Sequence, residues 1–244
     1  MPVNDTRPHY RRILLKLSGE ALMGDQSFGI DPSVLETVAT EISDIHKLGV
    51  EIGIVIGGGN IFRGLQSEAF GVERVAGDHM GMLATVINSI ALGEVLKKIG
   101  LESRVMSALD IHRVAESYDR GQAIKHLSKK RIVIFGAGTG NPYFTTDTAA
   151  TLRALETDAE VLMKATNVDG VYDADPKLEP SAKPFSELTY GEVLEKNLKV
   201  MDLTAVSLAM GQQLPIIVFN LGDAGNIMKA VSGEKVGTLI RGEQ

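Results

Sequence analysis

Residues 51–63, EIGIVIGGGNIFR, constrain the fold of this chain more than any other stretch. Ile52–Ile56 is a short, nearly continuous apolar run, which is typical of a strand buried on both faces. It ends in Gly57–Gly59, which allow a sharp turn and a close approach of the backbone to a ligand. We predict that Asn60 caps a following helix with Arg63 in its first turn, so that free N–H groups and a guanidinium converge on one anion site. A tight turn without a ligand would use the same glycines, and this stretch alone does not separate the two.

The same alternation of strand and helix extends along the chain. Besides residues 51–56, apolar runs predict strands at Ile13–Leu17, Arg104–Ser107, Arg131–Phe135, Val161–Ala165 and Ile216–Phe219, with Thr238–Ile240 as a closing edge strand. Periodicity and capping residues predict helices at residues 32–48, at His79–Ile99, at Arg120–Leu127, after Thr145 or Thr146, after Thr189, and from Asp202 to Gly211. This alternation predicts an α/β fold, a three-layer αβα sandwich with a mainly parallel central sheet.

The composition is that of an ordinary globular protein. Of the 244 residues, 44% are hydrophobic, and the net charge of -6 argues against a nucleic-acid-binding surface. Cysteine is absent, which excludes disulfides and thiolate chemistry. No apolar run approaches the roughly 20 residues that cross a bilayer, and the polar N-terminus lacks the apolar segment of a secretory signal. We therefore expect a soluble, cytoplasmic protein that binds neither membrane nor nucleic acid, with residues 1–10 as a flexible N-terminus.

Cationic and glycine-rich segments follow the predicted strands, at the carboxyl ends where parallel sheets bind ligands. Lys16 ends the first strand, Lys164 lies in another, and Gly57–Gly59 and Gly136–Gly140 form loops. Such cations and loops suit a polyanion better than a lone carboxylate. The motif G-x-x-x-x-G-K-[ST] is absent, and Gly136–Gly140 reads G-x-G-x-G, so neither a P-loop nor a dinucleotide-binding Rossmann fingerprint is present. The histidines are scattered, and no metal site is predicted.

Six segments together give the sequence a family resemblance. They are KLSGEAL at Lys16–Leu22, GGGN with Arg63, GDHMGMLAT at Gly77–Thr85, GTGNPYFTTD at Gly138–Asp147, KATNVDGVYDADP at Lys164–Pro176 and VMDLTA at Val200–Ala205. In this order, and over nearly the whole chain after about Tyr10, they resemble the bacterial uridylate (UMP) kinases of the amino acid kinase fold family. GTGNPYFTTD and GDHMGM are specific to those kinases, whereas the glycine loop and the DADP turn are shared more widely.

The resemblance implies transfer of the γ-phosphoryl group of MgATP to UMP, giving UDP and ADP in pyrimidine nucleotide biosynthesis. The implied catalytic residues are Lys16, Arg63, Lys164 and Asp202, with Asp202 orienting the two lysines. The implied ATP-binding residues are Lys16, Leu17, Ser18, Gly19, Gly59, Arg63, Thr166, Asn167, Tyr172 and Asp175. The implied UMP-binding residues are Gly58, Asp78, Thr139, Gly140, Asn141, Pro142, Tyr143, Phe144, Thr145 and Thr146. Attack would be direct and in-line, with Mg²⁺ held mainly by nucleotide oxygens and water.

Several of these residues also have ordinary structural explanations. Asp78 and Asp202 are each placed to cap a helix, and Asp147, in the first turn of its predicted helix, has the same ambiguity. Asn141-Pro142 and Asp175-Pro176 are common turn pairs. The sequence alone leaves open whether Asp147 and Asp202 act in catalysis or only as caps.

The resemblance also implies assembly and regulation. The family forms hexamers, and many members respond to GTP as an activator and to UTP as an inhibitor. The residues implied in a GTP response are Gly24, Asp25, Gln26, Ser27, Phe28, Gly29, Arg104 and Arg131. Both arginines flank strands, so solvated strand ends explain them equally well. A single domain would combine an acceptor-binding lobe of about residues 11–160 with an ATP-binding lobe of about residues 161–244.

Two other functions remain open at this point. Another member of the fold family would phosphorylate a carboxylate or carbamate, with the same lysine and glycine loop but no use for GTGNPYFTTD. A protein of a different class would bind a nucleotide or oxyanion without turnover, as a sensor or storage protein does. The presence of Lys16, Arg63, Lys164 and Asp202 together argues against that second class.

Overall fold

The computed structural model describes residues 8–62, 71–176 and 178–243 of the chain. Arg63 and the helix predicted around it lie outside these residues, as does most of the predicted N-terminal segment, residues 1–7. The roles assigned to them therefore stay predictions.

A mainly parallel sheet forms the centre of the described protein. Its strands are β1 Arg12–Leu17, β2 Glu51–Ile56, β3 Ser103–Ser107, β4 Glu116–Ser117, β5 Ile132–Gly136, β6 Val161–Thr166, β7 Glu187–Thr189, β8 Ile216–Asn220 and β9 Thr238–Arg241. Their order across the sheet is β4-β3-β5-β2-β1-β6-β8-β9-β7. Neighbouring strands from β4 to β8 are parallel, β9 runs antiparallel to β8, and β7 pairs parallel with β9.

Helices cover both faces of the sheet. They are α1 Pro32–Lys47, α2 Arg74–Lys98, α3 Arg120–Ser128, α4 Thr146–Glu156, α5 Tyr190–Glu195, α6 Leu203–Gly211 and α7 Asn226–Val231, with a 3₁₀ turn at Gly19–Met23. Residues of α1, α2 and α7 share one core with the sheet, and residues of α3, α4, α5 and α6 share the other. The predicted α/β fold, with a mainly parallel sheet between two helical layers, is confirmed.

Strand β1 shows why the central strands are apolar throughout. Ile13 and Leu15 belong to the core beneath α1, α2 and α7, whereas Leu14 between them belongs to the core on the opposite face. Because successive side chains alternate between faces, both sets must be apolar in a strand covered on both sides. Lys16 has the parity of Leu14 and therefore projects toward the layer that contains α4.

The structure differs from the sequence predictions at three places. Helix α2 begins at Arg74 rather than His79, because its first turns are mostly exposed and carry no apolar period, and Asp78 therefore lies inside the helix rather than at its N-cap. Strand β9 is not the edge of the sheet, since the three-residue strand β7 pairs outside it. Strand β4 has only two residues, both exposed, and no sequence pattern marks it.

Helix α2 is the one described helix that is long and apolar enough to span a membrane by length and composition alone. Half of its apolar window is buried inside the protein, where the helix packs on β3 and β5. A helix buried in a protein core can have the same length and hydropathy, so packing explains the apolar window.

Candidate active site

The turns after β1 and β2 pack tightly against each other at the carboxyl edge of the sheet. Gly57 N donates to Leu17 O at 2.9 Å, and a Cβ atom on Gly19 would lie 2.5 Å from Gly57 O. A Cβ atom on Gly58 would lie 2.8 Å from Gly81 O of α2. Only glycine allows backbones to approach this closely. The two turns therefore form a compact floor beside the ends of β1 and β6.

Lys16 and Lys164 lie side by side next to this floor. They are directly paired in the register of β1 and β6, so their side chains leave the same face of the sheet. Asp147, in the first turn of α4, lies between them, with Oδ1 at 2.8 Å from Lys16 Nζ and Oδ2 at 2.7 Å from Lys164 Nζ. Lys164 Nζ also donates to Val200 O at 2.5 Å. One carboxylate thus holds both ammonium groups and leaves one positive charge in excess.

Burial and charge act in opposite directions on the ionisation of this cluster. Burial alone would raise the pKa of Asp147, but the charges of Lys16 and Lys164 outweigh it and hold that pKa at about 2. Burial lowers the pKa of Lys164, and the neighbouring Asp147 opposes that shift without cancelling it. Asp147 is therefore a fixed anion across the neutral range, and it helps to keep Lys164 charged.

The lysine contact that the resemblance assigns to Asp202 is made by Asp147 instead. Asp202 Oδ1 accepts from Ala205 N at 2.9 Å, which confirms the predicted cap of α6. Its carboxylate also accepts from Thr148 Oγ1 at 3.0 Å and from Thr145 Oγ1. The physical reason is the position of the two carboxylates. Asp147 is at the amino end of α4, which lies over the paired lysines, whereas Asp202 is at the amino end of α6 and connects it to α4. A catalytic role for Asp202 stays a prediction.

Replacement of Asp202 by asparagine tests that role, because asparagine caps a helix about as well as aspartate. The negative charge of Asp202 still favours the charged form of Lys164, although less than burial and Asp147 affect it. We expect Asp202→Asn to lower kcat by about tenfold through this charge, at a nearly unchanged melting temperature. Wild-type turnover in this variant would leave the cap as the whole role of Asp202.

A small cavity of about 150 Å³ opens between α2 and the β5–α4 loop, residues 137–145. Its walls include part of the predicted UMP set, namely Gly58, Asp78, Thr139, Phe144, Thr145 and Thr146. They also include residues without a predicted role, namely Phe62, Gly77, Gly81, Met82, Thr85 and Gly138. Gly140, Asn141, Pro142 and Tyr143 lie in the same loop but do not line the cavity.

A larger cavity of about 450 Å³ has Lys164 in its wall. Of the predicted ATP-binding residues its walls include Thr166, Asn167, Tyr172 and Asp175. Its opposite wall is the segment Lys196–Val200, to which no role was assigned from the sequence. A third cavity of about 270 Å³ contains Asp147, Lys164 and Asp202 and lies against the same segment. Lys164 therefore borders two neighbouring cavities.

Asn60 is held by a partner on α2. Its side-chain nitrogen donates to Asn88 Oδ1 at 3.0 Å and to Gly29 O at 2.9 Å, while Asn88 Nδ2 donates to Asn60 Oδ1 at 2.7 Å. Asn88 Nδ2 also donates to Gly57 O at 2.7 Å. Both asparagines are almost fully buried. This amide pair fastens the glycine loop, residues 57–60, to α2.

A model of the amino acid kinase family matches residues 11–220. The chain belongs to the amino acid kinase family. A UMP kinase from Bacillus anthracis is 43% identical, with 96% of this chain and 97% of that chain covered at a TM-score of 0.93. A UMP kinase from Ureaplasma parvum is 36% identical, with coverages of 95% and 98% and a TM-score of 0.89. A uridylate kinase from Archaeoglobus fulgidus is 30% identical, with coverages of 93% and 99% and a TM-score of 0.72.

These similarities confirm the family resemblance drawn from the six sequence segments. In this amino acid kinase, Leu17, Ser18, Gly19 and Gly59 lie in or beside the floor at the ends of β1 and β2, away from the walls of the large cavity. Asp78 accepts from Tyr143 N at 2.7 Å and from Arg74 Nε at 3.0 Å, so in the protein alone it holds the β5–α4 loop. The individual binding roles stay predictions.

The residues considered for a GTP response have partners within the protein. Arg131 Nε donates to Glu102 at 2.5 Å, and Arg104 Nε lies 3.4 Å from Glu116. In the segment 24–29, Gly29 N donates to Asn60 O at 2.8 Å. The bond from Gly29 to Asn60 connects the segment to the glycine loop. An effector role for any of these residues stays a prediction.

Within residues 8–62, 71–176 and 178–243 no group of three or more His, Asp or Glu side chains is arranged to hold a metal ion. Asp147, the most central carboxylate, is already occupied by two lysines. That Mg²⁺ arrives with ATP and takes its ligands mainly from phosphate oxygens and water stays a prediction.

Proposed function

We propose that this amino acid kinase transfers the γ-phosphoryl group of MgATP to UMP. The observation that carries the proposal is a fixed pair of ammonium groups on adjacent strands, bridged by Asp147. Lys164 lines the larger cavity, and Thr145 and Thr146, directly before Asp147, line the smaller one. The larger cavity suits the purine nucleoside of ATP, and the smaller one suits a pyrimidine nucleotide. The structures of UMP kinases that match over almost the whole chain support the choice of UMP.

Phosphoryl transfer from ATP to UMP requires that the substrates be positioned and their phosphate charge neutralised, and it requires no general base. A phosphate oxygen of UMP is already anionic at neutral pH, so it can attack the γ-phosphorus directly. A bond forms between that oxygen and the γ-phosphorus, and the bond to the β–γ bridging oxygen breaks, so that ADP leaves with the electron pair. Lys16 and Lys164 would stabilise the charge on the transferred group and the leaving group. Mg²⁺, when bound with ATP, would neutralise further phosphate charge.

A coupled assay of ADP release tests the proposal against the other acceptors of this fold family. The protein is incubated with MgATP and, separately, with UMP, carbamate or acetylglutamate. Release of ADP with UMP alone is the expected result. Turnover with carbamate or acetylglutamate but not UMP would contradict it, and an absence of turnover with all three would favour a binding protein.

The acceptor site should also select the base. Uracil presents an N3–H donor between two carbonyl groups, whereas cytosine replaces one carbonyl by an amino group and lacks that proton. Two mismatches with buried polar groups predict discrimination of roughly a hundredfold in kcat/KM between UMP and CMP. Thr146 lines the small cavity, and its hydroxyl has no partner among the described residues. Thr146→Val should therefore weaken use of UMP and leave the KM for ATP unchanged; equal rates with UMP and CMP in the wild type would contradict this assignment.

The remaining parts of the proposal concern organisation and regulation. The small cavity is lined by residues 58–146 and the large one by residues 164–218, which supports an acceptor lobe of about residues 11–160 and an ATP lobe of about residues 161–244. A homohexamer, activation by GTP, inhibition by UTP, a cytoplasmic location and a role in pyrimidine nucleotide biosynthesis are proposed from the family resemblance.

A further inference from the structure

The β5–α4 loop holds two residues in a backbone conformation that they ordinarily avoid. Ala137 has a φ of +63° and Tyr143 a φ of +72°, and both carry a side chain in the left-handed region that favours glycine. Such conformations persist when surrounding contacts impose them, and they concentrate at binding and catalytic sites. Ala137 directly precedes Gly138 and Thr139, and Tyr143 directly precedes Phe144, Thr145 and Thr146, and both of these groups of residues line the small cavity.

Helix α2 contacts the loop at these same two residues. The backbone N–H of Ala137 donates to Thr85 Oγ1 at 2.8 Å, and the backbone N–H of Tyr143 donates to Asp78 Oδ2 at 2.7 Å. Thr85 and Asp78 are seven residues apart, a spacing that places both on one side of the helix. One rigid element thus holds the loop at both of its unfavourable positions.

The hydrogen bond from Ala137 to Thr85 is the one of the two that is fully buried. Ala137 is fully buried and Thr85 is 2% exposed, so water cannot replace the hydroxyl as the acceptor. The hydroxyl proton is directed to Met82 O at 2.7 Å, which leaves a lone pair for the Ala137 N–H. Loss of the hydroxyl would leave a buried donor without a partner, and the loop could restore one only by moving.

We propose that Thr85 is a positioning residue for the acceptor nucleotide. By holding Ala137 in the left-handed conformation, its hydroxyl sets the path of the β5–α4 loop and so keeps Thr139, Phe144 and Thr146 around the small cavity. The identity of the ligand in that cavity rests on the function proposed above, whereas the control of the loop by Thr85 does not.

Three variants separate this role from general stabilisation. Thr85→Val keeps the shape and removes the hydroxyl, and Thr85→Ser keeps the hydroxyl. Thr157→Val is the matched control, because Thr157 is equally buried but its hydroxyl donates only to Arg153 O of its own helix, at 2.7 Å. We expect Thr85→Val to raise the KM for UMP by about tenfold, with the KM for ATP within about twofold of wild type. Thr85→Ser should restore most of the affinity for UMP, and Thr157→Val should leave both KM values unchanged.

Hydrogen exchange of the protein without nucleotides gives a readout that does not depend on activity. Peptides covering residues 135–145 should exchange faster in Thr85→Val than in wild type, Thr85→Ser or Thr157→Val, while peptides from β1 and β6 stay protected. Wild-type exchange of these peptides in Thr85→Val, or equal losses of affinity for UMP and ATP, would overturn the proposal. If the wild-type protein did not phosphorylate UMP but the exchange pattern appeared, the proposed substrate would fail while the role of Thr85 in the loop would stand.

Discussion

Replacement of Lys16 by methionine is expected to lower kcat for phosphoryl transfer on the order of 10³-fold while the protein stays folded. Lys16 is 7% exposed, and its ammonium group lies 2.8 Å from the carboxylate of Asp147, which lines the cavity of about 270 Å³. Methionine fills a similar volume without the charge, and Asp147 keeps its second partner, Lys164. The variant therefore removes one cation from the site and leaves the packing of β1 largely intact.

Single-turnover and steady-state kinetics with UMP and MgATP measure this effect, with circular dichroism and melting temperature as tests of folding. Lys130→Met is the matched control, since Lys130 also binds a carboxylate, with Nζ 3.1 Å from Glu51 Oε1, but at the opposite edge of the sheet. Lys130→Met should retain wild-type kcat. A natively folded Lys16→Met protein with unchanged kcat would remove Lys16 from the mechanism.

Replacement of Asp147 by asparagine should lower kcat by about 10²-fold or more, although Asp147 is not expected to touch either substrate. An amide cannot neutralise two ammonium groups, so the lysines would repel each other and move apart. The pKa of Lys164, already lowered by burial, would fall further without its main partner. Part of the lost activity would then come from an uncharged Lys164.

The pH dependence of kcat distinguishes this mechanism from simple unfolding. A group whose pKa is lowered regains its proton as the pH falls, so the residual activity of Asp147→Asn should rise relative to wild type as the pH is lowered. The double variant Lys16→Met with Asp147→Asn relieves the repulsion and should melt no lower than Asp147→Asn, without recovering activity. Wild-type kcat in Asp147→Asn at every pH would rule out the bridging role.

Local signals in the sequence were sufficient for most of the fold. The central strands β1, β2, β5, β6 and β8 are apolar runs that stop at glycines or polar turns, and each is found within one residue of its predicted bounds. Thr189 and Asp202 cap their helices as predicted, and of the two candidates Thr145 and Thr146 the cap is Thr145, because a cap depends on residues only two or three positions away. Strands β4 and β7 escaped prediction because pairing with a neighbour, rather than their own composition, makes them strands.

Local sequence signals were not sufficient to predict the contacts within the candidate site. In the sequence, Asp147 and Asp202 are both aspartates at the start of a predicted helix, and only the tertiary placement of α4 over β1 and β6 shows that Asp147 is the one in contact with the lysines. Thr85 lies inside a helix, where no sequence pattern marks a threonine as functional. Only the structure shows the buried N–H of Ala137 that donates to it. The segment Lys196–Lys199, directly before VMDLTA, carries no motif, and only the structure shows that it lines cavities beside Lys164.

The amide pair between Asn60 and Asn88 limits how this protein can vary. Each side chain offers its carbonyl to the amino group of the other, and neither can turn to water instead. A replacement at one position therefore strands a donor or an acceptor at the other. We therefore expect a change at either of these two positions, 28 residues apart in the chain, to be tolerated only with a compensating change at the other.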